Sequence, residues 1–235
     1  MKQTVFKYDI HVHSKEGSPC GKDSAVDIAR AYAKGGYDGF VLTDHFGRYL
    51  LDLFDSYREA IDNQYRAYCL AREEGERLGL RVFFGIEYRH GVYDFLTFGI
   101  DRDFLLRNED IFEIPFEEYA ARVHEVGGLI IQAHPFRKVG RHPLMIQNSY
   151  VDAIEIYNGS HVPYHSPYPA VYNDLAAHYA EVMGLIGTAG SDTHDVDKRD
   201  GTPFRHASML FEEKIDSVEM LMAKIRGRQF VIEKE

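Results

Sequence analysis

The sequence predicts an α/β fold in which strands and helices alternate to form a parallel βα barrel. Short apolar runs rich in β-branched and aromatic residues alternate with longer amphipathic stretches along all 235 residues. This is the pattern of strands that reach parallel neighbours through helices. His and acidic residues also fall at the ends of at least five of these runs: DIHVHS (9–14), LTDH (42–45), GIE (85–87), QAHP (132–135) and GSDTH (190–194). A barrel gathers its site from several strand ends, whereas an open sheet concentrates it at one switch point. Continuous apolar strands such as LIIQA and GFVL suit burial on both faces. The strand and helix counts do not make eight clean units, so a distorted barrel is expected.

Each element follows from local pattern. VFKYDIHV (5–12) is the first strand, and a helix over 24–34 follows, where Ser24 and Asp27 form an acidic version of the capping box. GFVLTD (39–44) is the second strand. A long amphipathic helix is expected over 53–77, closed by Gly79 and feeding the strand RVFFGIE (81–87). FLTFGI (95–100) follows as a further strand. Pro115 suits a first helical turn, which sets a helix over 115–126, stopped by Gly127 and Gly128 before the strand LIIQAH (129–134). DAIEIY (152–157) is a strand, 170–183 a helix, LIGTAGS (185–191) and ASMLFE (207–212) strands, 217–226 a helix and QFVIE (229–233) the last strand. No linker, repeat or low-complexity tract divides the chain, so residues 1–235 are expected to form one domain, and 45% hydrophobic residues suffice for one large core.

A formal net charge of −10 argues against a surface built for nonspecific contact with nucleic acid or anionic lipid, leaving only local basic pockets. The two cysteines, Cys20 and Cys69, lie far apart without a CxxC pattern, which argues against a disulfide framework or thiolate zinc finger. MKQTVFKYDIHVH alternates polar and apolar residues with no signal-peptide core, and no run approaches the ~18 apolar residues of a membrane span. A soluble protein of the reducing cytoplasm is the expectation.

Side chains two apart on a strand share a face, so His11 and His13 can address one ion together. The following strand ends supply Asp44 and His45, then Glu87, then His134, then Asp192 and His194. Joined at one barrel mouth, these imidazoles and carboxylates make a metal site. His124 and His178 lie in helical patterns and are read as residues of solvated faces.

In this order the motifs HVHS, TDH, the glutamate of GIE, AHP and GSDTH resemble those of the PHP (polymerase and histidinol phosphatase) family, and the resemblance spans essentially the whole chain. It implies a distorted (β/α)7 barrel holding two or three divalent ions, and phosphoesterase activity. By resemblance, His11 and His13 bind a first ion with Glu87 and Asp192, Glu87 bridges to a second ion that His134 also binds, and His45 with His194 holds a third. A carboxylate can bridge two cations, whereas an imidazole cannot, which agrees with that grouping.

Two positions depart from the family pattern. Where a further ligand follows HxH, this chain has HSKEGSPCGKD, offering Glu16, Cys20 and Asp23; Cys20 is either a soft ligand or a small residue of a tight turn. Before the LTFG strand, Asp94 either supplies an oxygen ligand or solvates the turn, and His90 is a further candidate. GSPCGKD does not make a phosphate-cradling P-loop, because its glycine spacing is short and Asp23 stands where Ser or Thr is needed. Arg137, on the loop after His134, is the candidate phosphate clamp, with a surface salt bridge as the alternative. Arg48, Arg89, Arg199 and Arg205 also follow strand ends. The loop 156–172 carries Asn158, His161, His165 and several tyrosines, and forms either a substrate wall or a packed cover.

The expected activity is hydrolysis of a phosphate ester by water activated between divalent ions, with no side-chain nucleophile. Glu87, Asp192 and His194 are the expected catalytic residues, and Zn, Mn or Fe the expected ions. The substrate is expected to be a small phosphorylated molecule, with a nucleic-acid end left open. Hydrolysis of a C–N or lactone bond is the enzymatic alternative, since the fold does not select the substrate. A metal-binding module that has lost catalysis is the other.

Overall fold

The computed structural model describes residues 4–137, 148–161, 170–197, 201–203 and 207–234. One mixed sheet forms the body. Its strands are β1 (Phe6–Val12), β2 (Gly39–Leu42), β3 (His45–Phe46), β4 (Arg81–His90), β5 (Tyr93–Phe98), β6 (Leu129–Gln132), β7 (Ala153–Asn158), β8 (Ile186–Gly190), β9 (Ala207–Phe211) and β10 (Val231–Lys234). They run in the order β10-β9-β1-β2-β4-β5-β6-β7-β8, with β3 paired to β4. The sheet curls until its end meets its middle. Just beyond β8, Thr193 bridges Val12, and Asp192 donates its backbone N–H to the His11 carbonyl at 2.9 Å. The barrel is therefore nearly closed, and the closure lies where the first and last His motifs meet.

The expected parallel barrel is interrupted in two places. β4 and β5 form an antiparallel hairpin that reverses at Gly91 (φ 61°), and β5 is antiparallel to β6 as well. β9 and β10 are antiparallel additions beside β1. Parallel pairing persists through β1, β2 and β4, and through β6, β7 and β8.

The helices are α1 (Ala25–Lys34), α2 (Tyr57–Leu78), α3 (Arg102–Arg107), α4 (Phe116–Glu125), α5 (Val171–Met183) and α6 (Val218–Arg226). The capping pair at the start of α1 forms as expected, with Ser24 Oγ accepting from Asp27 N. α2 begins four residues later than the periodicity suggests. Its start is set by Ser56, whose Oγ accepts from Glu59 N at 3.1 Å, and the apolar run before it forms a 3-10 turn, Arg48–Asp52. Pro115 precedes α4 as its N-cap instead of occupying the first turn. Gly79 and Gly184 end α2 and α5 in the left-handed conformation, at φ 76° and 67°. Among the described residues no helix is long and apolar enough to cross a membrane.

Apolar burial fixes the strands that carry the site. α1 and α2 cover Val12, Phe40, Leu42 and Val82 on one flank. Another cluster places Phe46, Ile86, Tyr88, Phe95 and Ile130 against Phe116 and Tyr119 of α4. The polar faces of β1, β4 and β6 thereby turn together. Phe95 is fully buried and stacks on Phe116 with ring centroids 4.1 Å apart. Phe95→Ala should lower unfolding free energy by about 3–5 kcal/mol through lost burial and the cavity left behind. Urea denaturation followed by circular dichroism checks this, with an unchanged slope expected.

Candidate metal centre

The strand ends deliver their polar residues to one buried point. His11 and His13 leave β1 on the same face, and both are fully buried, with ring centroids 5.0 Å apart. Parallel pairing sets His45 opposite Glu87. His134 follows β6 and Asp192 follows β8, and both take left-handed backbone conformations, at φ 28° and 54°. Such geometry in a residue other than glycine costs energy and persists only where surrounding contacts impose it. The Asp192 turn is imposed by its bond to His11 and by Ser191 N, which donates to Asp9 Oδ1 at 3.0 Å. The His134 turn is held by its own N–H, which donates to Glu155 Oε2 at 2.9 Å.

The central distances are too regular for accidental contact. His11 Nε2 lies 3.4 Å from Glu87 Oε1 and 3.5 Å from Asp192 Oδ1. His13 Nε2 lies 3.6 Å from Glu87 Oε2 and 3.2 Å from the same Asp192 Oδ1. His11 Nε2, His13 Nε2 and Asp192 Oδ1 are buried without a hydrogen-bond partner, and Glu87 Oε2 faces them with the His45 imidazole on its other side. A buried polar atom left unsatisfied costs about 1–3 kcal/mol, so such a group demands a ligand. Atoms about 2.1 Å from a common tetrahedral centre stand roughly 3.4 Å apart, and these spacings match that edge. The residues therefore fit a divalent ion. Glu87 and His134 form a neighbouring group with Asp94, while His13, His45 and His194 form another.

The remaining nitrogens face fixed partners. His11 Nδ1 meets Glu155 Oε1 at 2.9 Å and His13 Nδ1 meets Ser18 Oγ at 3.2 Å, so both rings present Nε2 to the centre. Burial alone would raise the Glu87 carboxyl, but the His45 and His11 imidazoles carry it well below the usual carboxylate range. Burial opposes ionisation of Asp192 too, and the Arg137 guanidinium with His11 overcomes it. Burial and the neighbouring His194 and His45 push His13 well below the ordinary histidine range. Burial raises the Cys20 thiol, yet hydrogen bonds with His194 and His45 bring it down to about 6.

Glu155 is the residue that motif reading missed. It sits in the apolar strand DAIEIY, is fully buried, and serves His11, the His134 backbone and Asn158 Nδ2 at once. A lone acid within an apolar strand was the available signal. Asp44 is likewise a support: it accepts from Ser14 N and Ser14 Oγ at 2.6 Å each and from Ser18 Oγ at 2.7 Å, fixing the loop after β1.

The other candidates divide between the cleft and its supports. Arg137 lines the cleft, and its guanidinium pairs with Asp192 Oδ2 and meets Asn158 Oδ1 at 3.1 Å and His161 Nε2 at 3.2 Å, which is the salt-bridge alternative in a buried setting. A buried guanidinium requires such a counter-charge. Asn158 and His161 are buried in that network, so neither forms an exposed substrate wall. Asp94 is fastened to Arg89, with distances of 2.7 and 3.2 Å, while still lying near Glu87 and His134. Glu16 accepts from Ala25 N and Asp23 from Val196 N, and both stabilise loops instead of entering the centre. His90 contacts Tyr88 and Phe116, away from the cluster. Arg48 pairs with Glu113 on the surface. His124 is half-buried against Asp152, whereas His178 is exposed as expected. His165, Arg199 and Arg205 lie outside the described residues. Cys20 does reach the group, with Sγ 3.1 Å from His45 Nε2.

A cleft of about 320 Å³ opens over the cluster, lined by Cys20, Lys22, His45, Arg89, Arg137 and Asp195 among others. A larger one, about 560 Å³, lies at the opposite strand ends around Tyr68 and Arg81 and contains none of the metal-site candidates.

No family model and no curated protein matches the sequence. Solved structures do. A two-domain protein from Bacteroides vulgatus, containing a predicted PHP-like metal-dependent phosphoesterase, is similar over 99% of this chain at 18% identity, with a TM-score of 0.70. The chain has the PHP-like fold. It spans 65% of the length of that two-domain protein. The lesion-specific endonuclease EndoQ from Pyrococcus furiosus matches over 95% of this chain and 56% of its own, at 16% identity and a TM-score of 0.60. An amidohydrolase from Chromobacterium violaceum matches over 97% of both chains, at 16% identity and a TM-score of 0.54.

In this PHP-like fold Glu155 acts through the imidazoles it orients. Glu155→Gln should weaken divalent-ion affinity about 10–100-fold while the protein stays folded, since outer partners of this kind tune affinity by that much. Competition against a fluorescent chelator measures it. Unchanged affinity would remove Glu155 from the centre.

Proposed function

We propose that the protein is a metal-dependent phosphoesterase acting on a small phosphorylated molecule. The observation that carries this reading is the convergence of His11 Nε2, His13 Nε2 and Asp192 Oδ1, buried and without hydrogen-bond partners, on the buried carboxylate of Glu87. In this reading those residues hold one divalent ion. Glu87 with His134 and Asp94 forms a second position, and His13, His45 and His194 lie about a third. Bound there, such ions supply Lewis-acid charge to phosphate oxygens and lower the pKa of water at the site. Zn, Mn and Fe all suit imidazole and carboxylate donors.

The side chains position and insulate. Arg137 fixes one oxygen of Asp192, leaving the other aimed at His11 and His13. Glu87 offers two oxygens to different neighbours, His134 at 2.8 Å and His45 on its far side, which suits a bridging role. His194 turns Nε2 to within 3.5 Å of His45 Nε2, so this pair is assigned to ligation and not to proton donation. The cleft, at about 320 Å³, falls at the small end of ligand pockets and favours a compact ester. The net charge of −10 disfavours long nucleic acid. Both cysteines are free, which fits the reducing cytoplasm we assign to the protein.

The amidohydrolase neighbour keeps C–N bond hydrolysis as a second reading on the same fold. A panel of phosphate esters, amides and lactones separates the two. Asp192→Asn should lower phosphate release at least ~100-fold, on the order of 3 kcal/mol of transition-state stabilisation, with an unchanged circular dichroism spectrum. Turnover of amides alone, or full activity in the variant, would overturn the assignment.

A further inference from the structure

The outer part of the cluster differs chemically from the inner part. Cys20 Sγ stands 3.1 Å from His45 Nε2, which stands 3.5 Å from His194 Nε2. Cys20 and His194 line the same cleft. The opposite nitrogens are engaged elsewhere, His45 Nδ1 against Glu87 and His194 Nδ1 with the Asp192 carbonyl at 3.0 Å, so both imidazoles present Nε2 toward the sulfur. Behind them lies the His13 ring, 4.3 Å from each of theirs, fully buried and with its own Nε2 lacking a hydrogen bond.

Cys20 is a surface residue, but its loop is pinned. Lys22 N donates to the His194 carbonyl at 2.8 Å, and Gly21 N to Ser18 at 2.9 Å. Asp44 holds Ser14 and Ser18 from below. The packing is close enough that a Cβ at Gly21 would lie 2.3 Å from the Ser14 carbonyl. The sulfur is thus delivered to the two imidazoles by a built turn.

We propose that Cys20 Sγ, His45 Nε2 and His194 Nε2 form a sulfur-bearing site for a thiophilic divalent ion, distinct in selectivity from the carboxylate-bearing site of His11, His13, Glu87 and Asp192. The proposal rests on the metal-dependent reading above. On binding, the thiol proton passes to solvent and the sulfur electron pair to the ion, with no redox change. Around zinc, nitrogens at about 2.0–2.1 Å stand roughly 3.4 Å apart and a sulfur at about 2.3 Å stands roughly 3.6 Å from each nitrogen. The imidazole pair at 3.5 Å matches, and the sulfur contact at 3.1 Å would open by a few tenths of an ångström on binding. Thiolate and imidazole select zinc-like or cobalt-like ions, whereas paired carboxylates accept a harder, manganese-like one. One chain then holds two kinds of ion.

Cobalt(II) titration of the full chain tests this. The wild type should develop a sulfur-to-cobalt charge-transfer band in the near ultraviolet; Cys20→Ser should lose that band and one bound cobalt per chain while keeping the inner ion, and Cys69→Ser should change neither. Iodoacetamide labelling of the wild type gives a check independent of folding in the variants: cobalt should slow alkylation of Cys20 at least tenfold. Cobalt bound to the wild type without the band, a band that survives in Cys20→Ser, or unprotected Cys20 would each overturn the sulfur site and leave the inner centre standing. No cobalt bound at all would overturn both.

Discussion

Charge compensation in the barrel mouth governs the rest of the molecule. Glu87, Asp192 and Glu155 are buried within reach of one another through His11, and Arg137 is the guanidinium that enters their network. Buried carboxylates at this spacing do not persist on one cation, because each loses its hydration without a full replacement. The imidazoles answer part of the demand. Burial alone would keep His11 and His45 neutral, yet Glu155, Asp192 and Glu87 raise His11, and Glu87 raises His45, well above the ordinary range. The same carboxylates that raise these imidazoles are the ones whose charge a divalent ion would balance.

Such a centre needs a stiff frame, and the fold supplies it through buried polar groups one step further out. Asp9 accepts from Tyr32 Oη at 2.6 Å and from Ser191 N, which ties α1 to the turn that carries Asp192. Glu155 links β7 to His11 on β1 and His134 after β6. Asp44 secures the loop beside His13 and Cys20. Each support is itself a buried acid satisfied by two or more donors. Left-handed backbone at His134 and Asp192 is affordable because these bonds over-determine both turns.

How much of this was legible in the sequence depended on distance along the chain. A strand turns alternate residues to one face, so His11 with His13 needed only local geometry, and Asp192 with His194 needed only the next strand end. The capping pair Ser24 and Asp27 was readable for the same reason. Ser56 and Glu59 carried an equally local signal, obscured by the apolar run LLDLF, which imitates the start of a helix. The antiparallel hairpin after β4 was local too: His90 pairs with Tyr93 across Gly91 and Val92, and a glycine at φ 61° in the first turn position is a hairpin signal, though less plain in sequence than an Asn-Gly or Asp-Gly pair. Arg137 shows where locality ends: the loop position placed it near the site, but its direction was decided by the unsatisfied charge of Asp192, 55 residues away.

That redirected arginine changes how an anion must be recognised. Around the cleft, Lys22 pairs with Asp195 at 2.8 Å, Arg89 with Asp94 at 2.7 Å and Arg137 with Asp192. Each of these cations already has a carboxylate partner. A phosphate approaching this rim meets neutralised pairs on a protein of net charge −10, so the rim alone gives little attraction. Under the proposed phosphoesterase reading, the positive charge that draws the ester would come from ions held by the inner residues, and those ions would both bind and polarise the phosphate, coupling substrate affinity to metal occupancy.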